Sequence, residues 1–149
     1  MRLTTHTDPG LTQARSSSAT VRALEISIAA DKALVAEVRH AVQAALASWG
    51  ASAIADDMAV VASELTSNAL KHAGGGATVR LRLAKGQALL EVDDGSARQP
   101  VARRVGIEVE EGRGLLLVKA LAAEWGWRHR KGGGKTVWAS IPAPAGCAA

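Results

Sequence analysis

The chain has 149 residues, a net charge of +4 and 48% hydrophobic content, with four Trp and neither Phe nor Tyr. That length suits one compact domain, whose core must be built from Leu, Val, Ile and Ala. A single cysteine, Cys147, excludes an internal disulfide framework and argues against a thiolate metal site. The basic residues are scattered and not interleaved with aromatics, which argues against direct nucleic-acid binding despite the net charge. No apolar run reaches the roughly 18 residues of a membrane-spanning helix, and MRLTTHTDPG has no signal-peptide apolar region. The expectation is a soluble, cytoplasmic protein that does not engage a membrane.

In chain order, residues 1–19 combine Asp-Pro-Gly and SSS with little periodicity and read as a disordered tail. VRALEISIA, from Val21, alternates as a strand. Residues 31–49 read as a helix with Asp31 as N-cap, a stripe of Leu34, Val38, Val42, Leu46 and Trp49, and Gly50 as its stop. A second helix runs from about Ile54 to Ala73 and ends at Gly74-Gly75-Gly76. ATVRLRL and ALLEVDD alternate around the KGQ turn and predict a hairpin. Residues 95–112 form a polar loop long enough to suggest a functional lid. GRGLLLVKALAAE predicts a third helix, and WGWRHR and KTVWASI, joined by KGGG, a closing hairpin. The predicted fold is α+β: a two-layer sandwich with helices on one face of a mixed, mostly antiparallel sheet. The domain is expected over 20–142, followed by a flexible tail at 143–149.

The second helix poses the chemical question. In ELTSNALKHA, Glu64, Asn68 and His72 recur every four residues beside the buried stripe of Met58, Val61, Leu65 and Ala69. Half-buried polar groups cost free energy unless something satisfies them. Two readings stand: they bond neighbouring backbone, or Asn68 ligates a hard cation such as Mg²⁺, which takes few protein ligands and fills its shell from phosphate and water. In the second reading Glu64 polarises a hydroxyl or water near the cation, and Lys71 reaches a phosphate.

Two further segments bear on this. Strand alternation puts Asp94 in the apolar row of Leu90 and Val92, with Asp93 on the other face. Asp94 is then either a turn residue before Gly95 or the acceptor for an exocyclic amino group. In EGRGLLLV, Gly112 and Gly114 would let backbone N–H groups approach a polyphosphate at a helix N-terminus. KGGGK lacks the frame of a Walker loop and fits a hairpin turn.

Taken in order, the Glu…Asn…His helix, the strand ending in Asp, the long loop, GRGLLLV and GGKTVW resemble the GHKL, or Bergerat-fold, ATPases. Among these they look like the histidine-kinase-like domain of bacterial anti-sigma factors with serine kinase activity, over roughly residues 20–141. The resemblance implies ATP and Mg²⁺ as cofactors. It implies Asn68 as the Mg²⁺ ligand, Glu64 as general base, and Lys71 and His72 near the phosphates. Asp94 would recognise adenine and Thr136, in the last strand, would back up that recognition, with Ser96, Gly112, Gly114 and Leu115 completing the nucleotide site. The first glycine box departs from Asp-x-Gly-x-Gly: one alignment uses Asp93, Gly95 and Ala97, the other Asp94, Gly95 and Ser96, and the inward turn of Asp94 favours the second.

The resemblance also implies a sigma factor, an anti-sigma-factor antagonist, or both as partners, and leaves a homodimer open. Two functions follow. One is an anti-sigma factor that phosphorylates a serine or threonine of its antagonist; the other is a non-catalytic ATP-binding module that sequesters its partner. The side of the first helix carrying Arg39 and His40 is the expected interface.

Overall fold

The computed structural model describes residues 2–7, 21–73, 75–95 and 109–144. Strand β1 spans Arg2–Thr7, β2 Arg22–Ile28, β3 Ala77–Ala84, β4 Gln87–Asp94, β5 Glu124–His129 and β6 Lys135–Pro142. Helix α1 spans Leu34–Ser48, α2 Ser52–Ala73 and α3 Val109–Leu121. The strands form one sheet in the order β1-β2-β3-β4-β6-β5, and every described pairing is antiparallel. The fold is α+β as expected, with a sheet more uniformly antiparallel than the mixed one predicted. No described helix is long and apolar enough to cross a membrane.

The sheet turns one face to the helices. Leu24, Ile26 and Ile28 of β2 are buried and alternate with more exposed neighbours, as do Val79, Leu81 and Leu83 of β3 and Ala88, Leu90 and Val92 of β4. In β6 the inward row is Val137, Ala139 and Ile141. Helix α2 meets this face with Met58, Val61 and Leu65, each no more than 1% exposed. It also packs on α1 and α3, which makes it the central helix. Each fully buried Leu, Ile, Val or Met stabilises the fold by about 1.5–3 kcal/mol, so this apolar face supplies most of the driving force that a core without Phe or Tyr must find.

Local chemistry sets the helix ends. Asp31 does not cap α1 directly. Its carboxylate accepts from the Ala33 N–H at 2.9 Å and its carbonyl from Leu34, so it closes the turn that feeds a helix starting at Leu34. At the other end Gly50 takes φ +83°, and Ala51 N–H donates to the Leu46 carbonyl at 2.8 Å. This left-handed stop satisfies carbonyls that the helix would otherwise leave open.

Two expectations are corrected. Within the segment expected to be a disordered tail, residues 2–7 form β1, paired with β2 from Arg2↔Ser27 to Thr7↔Arg22. Its stabilisation is backbone hydrogen bonding at the sheet edge, which a polar sequence such as RLTTHT provides as well as an apolar one. Second, α3 opens at Val109 and ends at Leu121, so Glu124 belongs to β5. Gly112 and Gly114 therefore lie inside the first turns of α3, not ahead of it. Glycine lowers helix stability by about 1 kcal/mol relative to Ala, and the burial of Leu115 and Val118 (1% and 0% exposed) offsets that cost. The expected 95–112 loop falls largely on 96–108, outside the described residues.

Candidate functional site

Helix α2 delivers the ELTSNALKHA residues to one end of the sheet. Leu65 and Ala69 anchor the helix in the core, while Glu64 and Asn68 are half-buried on its flank and Lys71 is exposed in its last turn. His72 lies in the same turn by its backbone. Helix α2 packs directly on β3, β4 and β6, so the face carrying the apolar rows of these strands is the one it covers.

At the end of that face stands Asp94. It continues the inward row of Ala88, Leu90 and Val92 and is 3% exposed. A carboxylate there needs a charged partner, because an isolated ion in a low-dielectric setting is costly. Lys135, the residue opposite Asp94 in the β4–β6 register, is such a partner. Its Nζ donates to both Asp94 oxygens, at 3.0 and 3.3 Å, and its side chain is 3% exposed.

Asp93 belongs to the outer face. Arg80 of β3 grips it with both terminal guanidinium nitrogens, Thr136 Oγ1 donates to its Oδ1, and Arg130 Nε lies 3.9 Å from its Oδ2. Beside it Glu91 accepts from Arg128 at 2.6 Å and pairs with Arg80 at 3.5 Å. Burial by itself would push the Asp93 carboxyl up, but hydrogen bonds from Arg80 and Thr136 and the charges of Arg80 and Arg130 outweigh it, leaving the group below its ordinary value. The hydrogen bond to Asp93 in turn raises Arg80 above its ordinary value, against desolvation.

Thr136, expected to back up adenine recognition, lies in this outer network. It pairs with Asp93 across the strands and hydrogen-bonds it on the outer face, so it is not the residue opposite Asp94. The residue in that place is Lys135. Period-two counting back from Val137, Ala139 and Ile141 puts residue 135 inward and 136 outward. That signal was present in KTVWASI; matching GGKTVW as a motif passes over it.

A cavity of about 300 Å³ opens at the strand ends, lined by Ser27, Thr78, Asp93, Asp94, Gly95 and Arg130 among others. Glu64, Asn68 and Lys71 do not line it. Its wall takes residues from both faces of the sheet, inward Ile28, Ala77 and Asp94 as well as outward Ser27, Thr78 and Asp93, whereas Asn68 stands on the helix that covers the inner face. Leu115 is buried in the core beneath α3. Ser96 lies outside the described residues.

The donor set determines what could be held here. Among the described residues no group of three or more His, Cys, Asp or Glu could enclose a metal ion. A half-buried amide on a rigid helix does suit a hard cation that draws most of its shell from phosphate oxygens and water. A buried, ionically anchored carboxylate at the end of an apolar row suits an amino group on a flat apolar base. The described residues thus fit a magnesium–nucleotide complex better than a protein-caged metal.

Residues 28–141 match the family described as the histidine kinase-like ATPase domain. No match is found among curated proteins. The matched span covers well over half of the 149-residue chain and runs from the end of β2 to β6, taking in α2, Asp94 and the closing hairpin. The chain belongs to the histidine kinase-like ATPase domain family, and its fold is the ATP-binding module of the GHKL type.

Proposed function

We propose that this protein is a Mg-ATP-dependent anti-sigma factor that phosphorylates a serine or threonine on an anti-sigma-factor antagonist. The observation that carries the nucleotide half is Asp94. It is buried at the end of the inward row of β4, on a strand packed against the helix that bears Glu64 and Asn68. Its carboxylate would accept a hydrogen bond from the exocyclic amino group of adenine. The Asn68 amide oxygen would ligate Mg²⁺, and Lys71, exposed one turn on, would reach a phosphate. His72 completes the proposed phosphate contacts. Bound Mg²⁺ neutralises charge on the phosphates.

The kinase half rests on Glu64, one turn before Asn68 on the same flank of α2. Its carboxylate would take the proton of the acceptor hydroxyl. Phosphoryl transfer asks little covalent chemistry of the protein, chiefly positioning and charge neutralisation, and a rigid, core-anchored helix provides the positioning. Incubation with labelled ATP and a cognate antagonist is expected to label the antagonist, and Glu64→Ala to remove the label while ATP still binds. An ATP-bound wild type that never labels its partner would refute the kinase half.

A second reading is favoured by one observation, the departure of the glycine box after Gly95, where Ser96 and Ala97 stand. In it the protein binds ATP without turnover and regulates transcription by sequestering its partner. Glu64→Ala separates the two: partner control that survives the substitution belongs to the second reading.

A further inference from the structure

We propose that Lys135 is the positioning residue for base recognition: it holds the Asp94 carboxylate in the orientation that accepts the adenine amino group. This inference rests on the nucleotide reading above and adds to it a residue which that reading does not use.

The pair is costly to build. Both side chains are almost fully withdrawn from water, at 3% and 1% exposure for Lys135 and Asp94. Desolvating two ions commonly cancels the attraction between them, and an apolar pair of similar volume is often as stable or more so. Stability alone is therefore a poor reason for ions at the end of the row formed by Val92, Leu90 and Ala88. What the pair does provide is geometry. Nζ contacts both carboxylate oxygens, at 3.0 and 3.3 Å, which fixes the rotation of the carboxylate.

The backbone that carries Lys135 is also seated on Asp94. Gly134 has φ +82°, and a Cβ placed on it would lie 2.1 Å from the Asp94 carbonyl oxygen. The Gly134 carbonyl in turn accepts from Arg130 N–H at 2.9 Å, closing the hairpin turn. The lysine thus rises from a backbone locked against the residue it orients. The glycine step is what permits this approach, since any side chain at 134 would collide with the β4 backbone.

The test titrates ATP and inosine triphosphate, whose base has a carbonyl in place of the amino group, into four proteins: wild type, Lys135→Met, Asp94→Asn and the double variant. Circular dichroism and thermal melting confirm folding. The wild type is expected to prefer ATP. Asp94→Asn and Lys135→Met should each reduce that preference by about tenfold to a hundredfold, the loss expected for one charge-assisted hydrogen bond. Because Lys135 acts through Asp94, the double variant should fall no lower than Asp94→Asn alone. A merely structural lysine would lower the melting temperature and leave the ATP-to-inosine ratio of the folded protein unchanged; a folded Lys135→Met with wild-type preference therefore overturns the proposal. So does a double variant much weaker than Asp94→Asn. If Lys135→Met does not fold, Lys135→Arg, which keeps the cation, decides: retained preference supports the positioning role, and preference lost in a folded Lys135→Arg that still binds the triphosphate overturns it. A wild type that binds neither nucleotide rejects the nucleotide reading itself, a separate and recognisable outcome.

Discussion

Replacing Gly134 by Ala tests whether the β5–β6 turn is seated on Asp94. The added methyl carries two costs. Gly134 has φ +82°, and the left-handed region costs an L-residue about 1–2 kcal/mol. The new Cβ would also lie 2.1 Å from the Asp94 carbonyl oxygen and 3.1 Å from Gly95 Cα, contacts with backbone that no rotamer change relieves. Overpacking of this kind typically costs a further 1–3 kcal/mol or so. Gly132 supplies the control: it has φ +93°, but a Cβ there meets nothing within 4 Å. Gly132→Ala carries only the conformational cost, and both variants share the same loss of unfolded-chain entropy. Urea unfolding should therefore find Gly134→Ala less stable than Gly132→Ala by about 1–3 kcal/mol, at an unchanged slope. Equal midpoints for the two variants would refute the contact, and with it the argument that the turn is locked to Asp94.

Three further outcomes follow from described contacts. Asp93 sits below its ordinary value, so its contribution to stability is present above the unfolded aspartate range, near pH 4, and is lost as pH falls through the lower folded value; the stability gap between wild type and Asp93→Asn, measured by urea unfolding, should shrink between pH 7 and pH 3, and a constant gap would contradict the outer-face network. Thr66 of α2 is fully buried and its hydroxyl has no hydrogen-bond partner among the described residues, so Thr66→Val, close in shape and helix propensity, should stabilise by about 1 kcal/mol; a loss of that size would show that the hydroxyl is satisfied. Arg39 and His40 are exposed on α1, away from Val38 and Val42, and under the proposed function Arg39→Glu should weaken capture of the partner in a pull-down without changing ATP affinity.

Much of this fold is legible in periodicity. The inward rows of β3 and β4 and the Val38, Val42, Leu46 stripe of α1 are apolar at the right spacing because those elements are held by burial. What periodicity does not reveal is held by something else. Strand β1 is a polar edge strand, and its ladder to β2 uses groups that every residue possesses. The start of α3 is hidden because Gly112 and Gly114 read as stops, while the burial that carries the helix through them is a tertiary contact. The candidate site divides in the same way. Glu64, Asn68 and Asp94 stand out as polar groups beside or within apolar rows. Lys135 does not, since a lysine after three glycines looks like an exposed turn until its strand is counted from the inward Val137.

The separation of the two aspartates follows from the same counting, and energy makes it robust. Asp93 and Asp94 are adjacent, yet each has its own cation on its own face: Arg80 outside and Lys135 inside. A one-residue slip of β6 would exchange them, putting Thr136 beside Asp94 and turning Lys135 out to solvent. It would also turn Val137, Ala139 and Ile141, at 4%, 0% and 6% exposure, out of the core. Val137 and Ile141 alone would then forfeit about 3–6 kcal/mol of burial, a large share of the 5–15 kcal/mol or so that stabilises a domain. The slip would further leave a buried carboxylate facing a neutral hydroxyl. The apolar row of β6 therefore selects which residue meets Asp94. Three aliphatic side chains thus decide that Asp94 is anchored by an ammonium and that Thr136 serves the outer network.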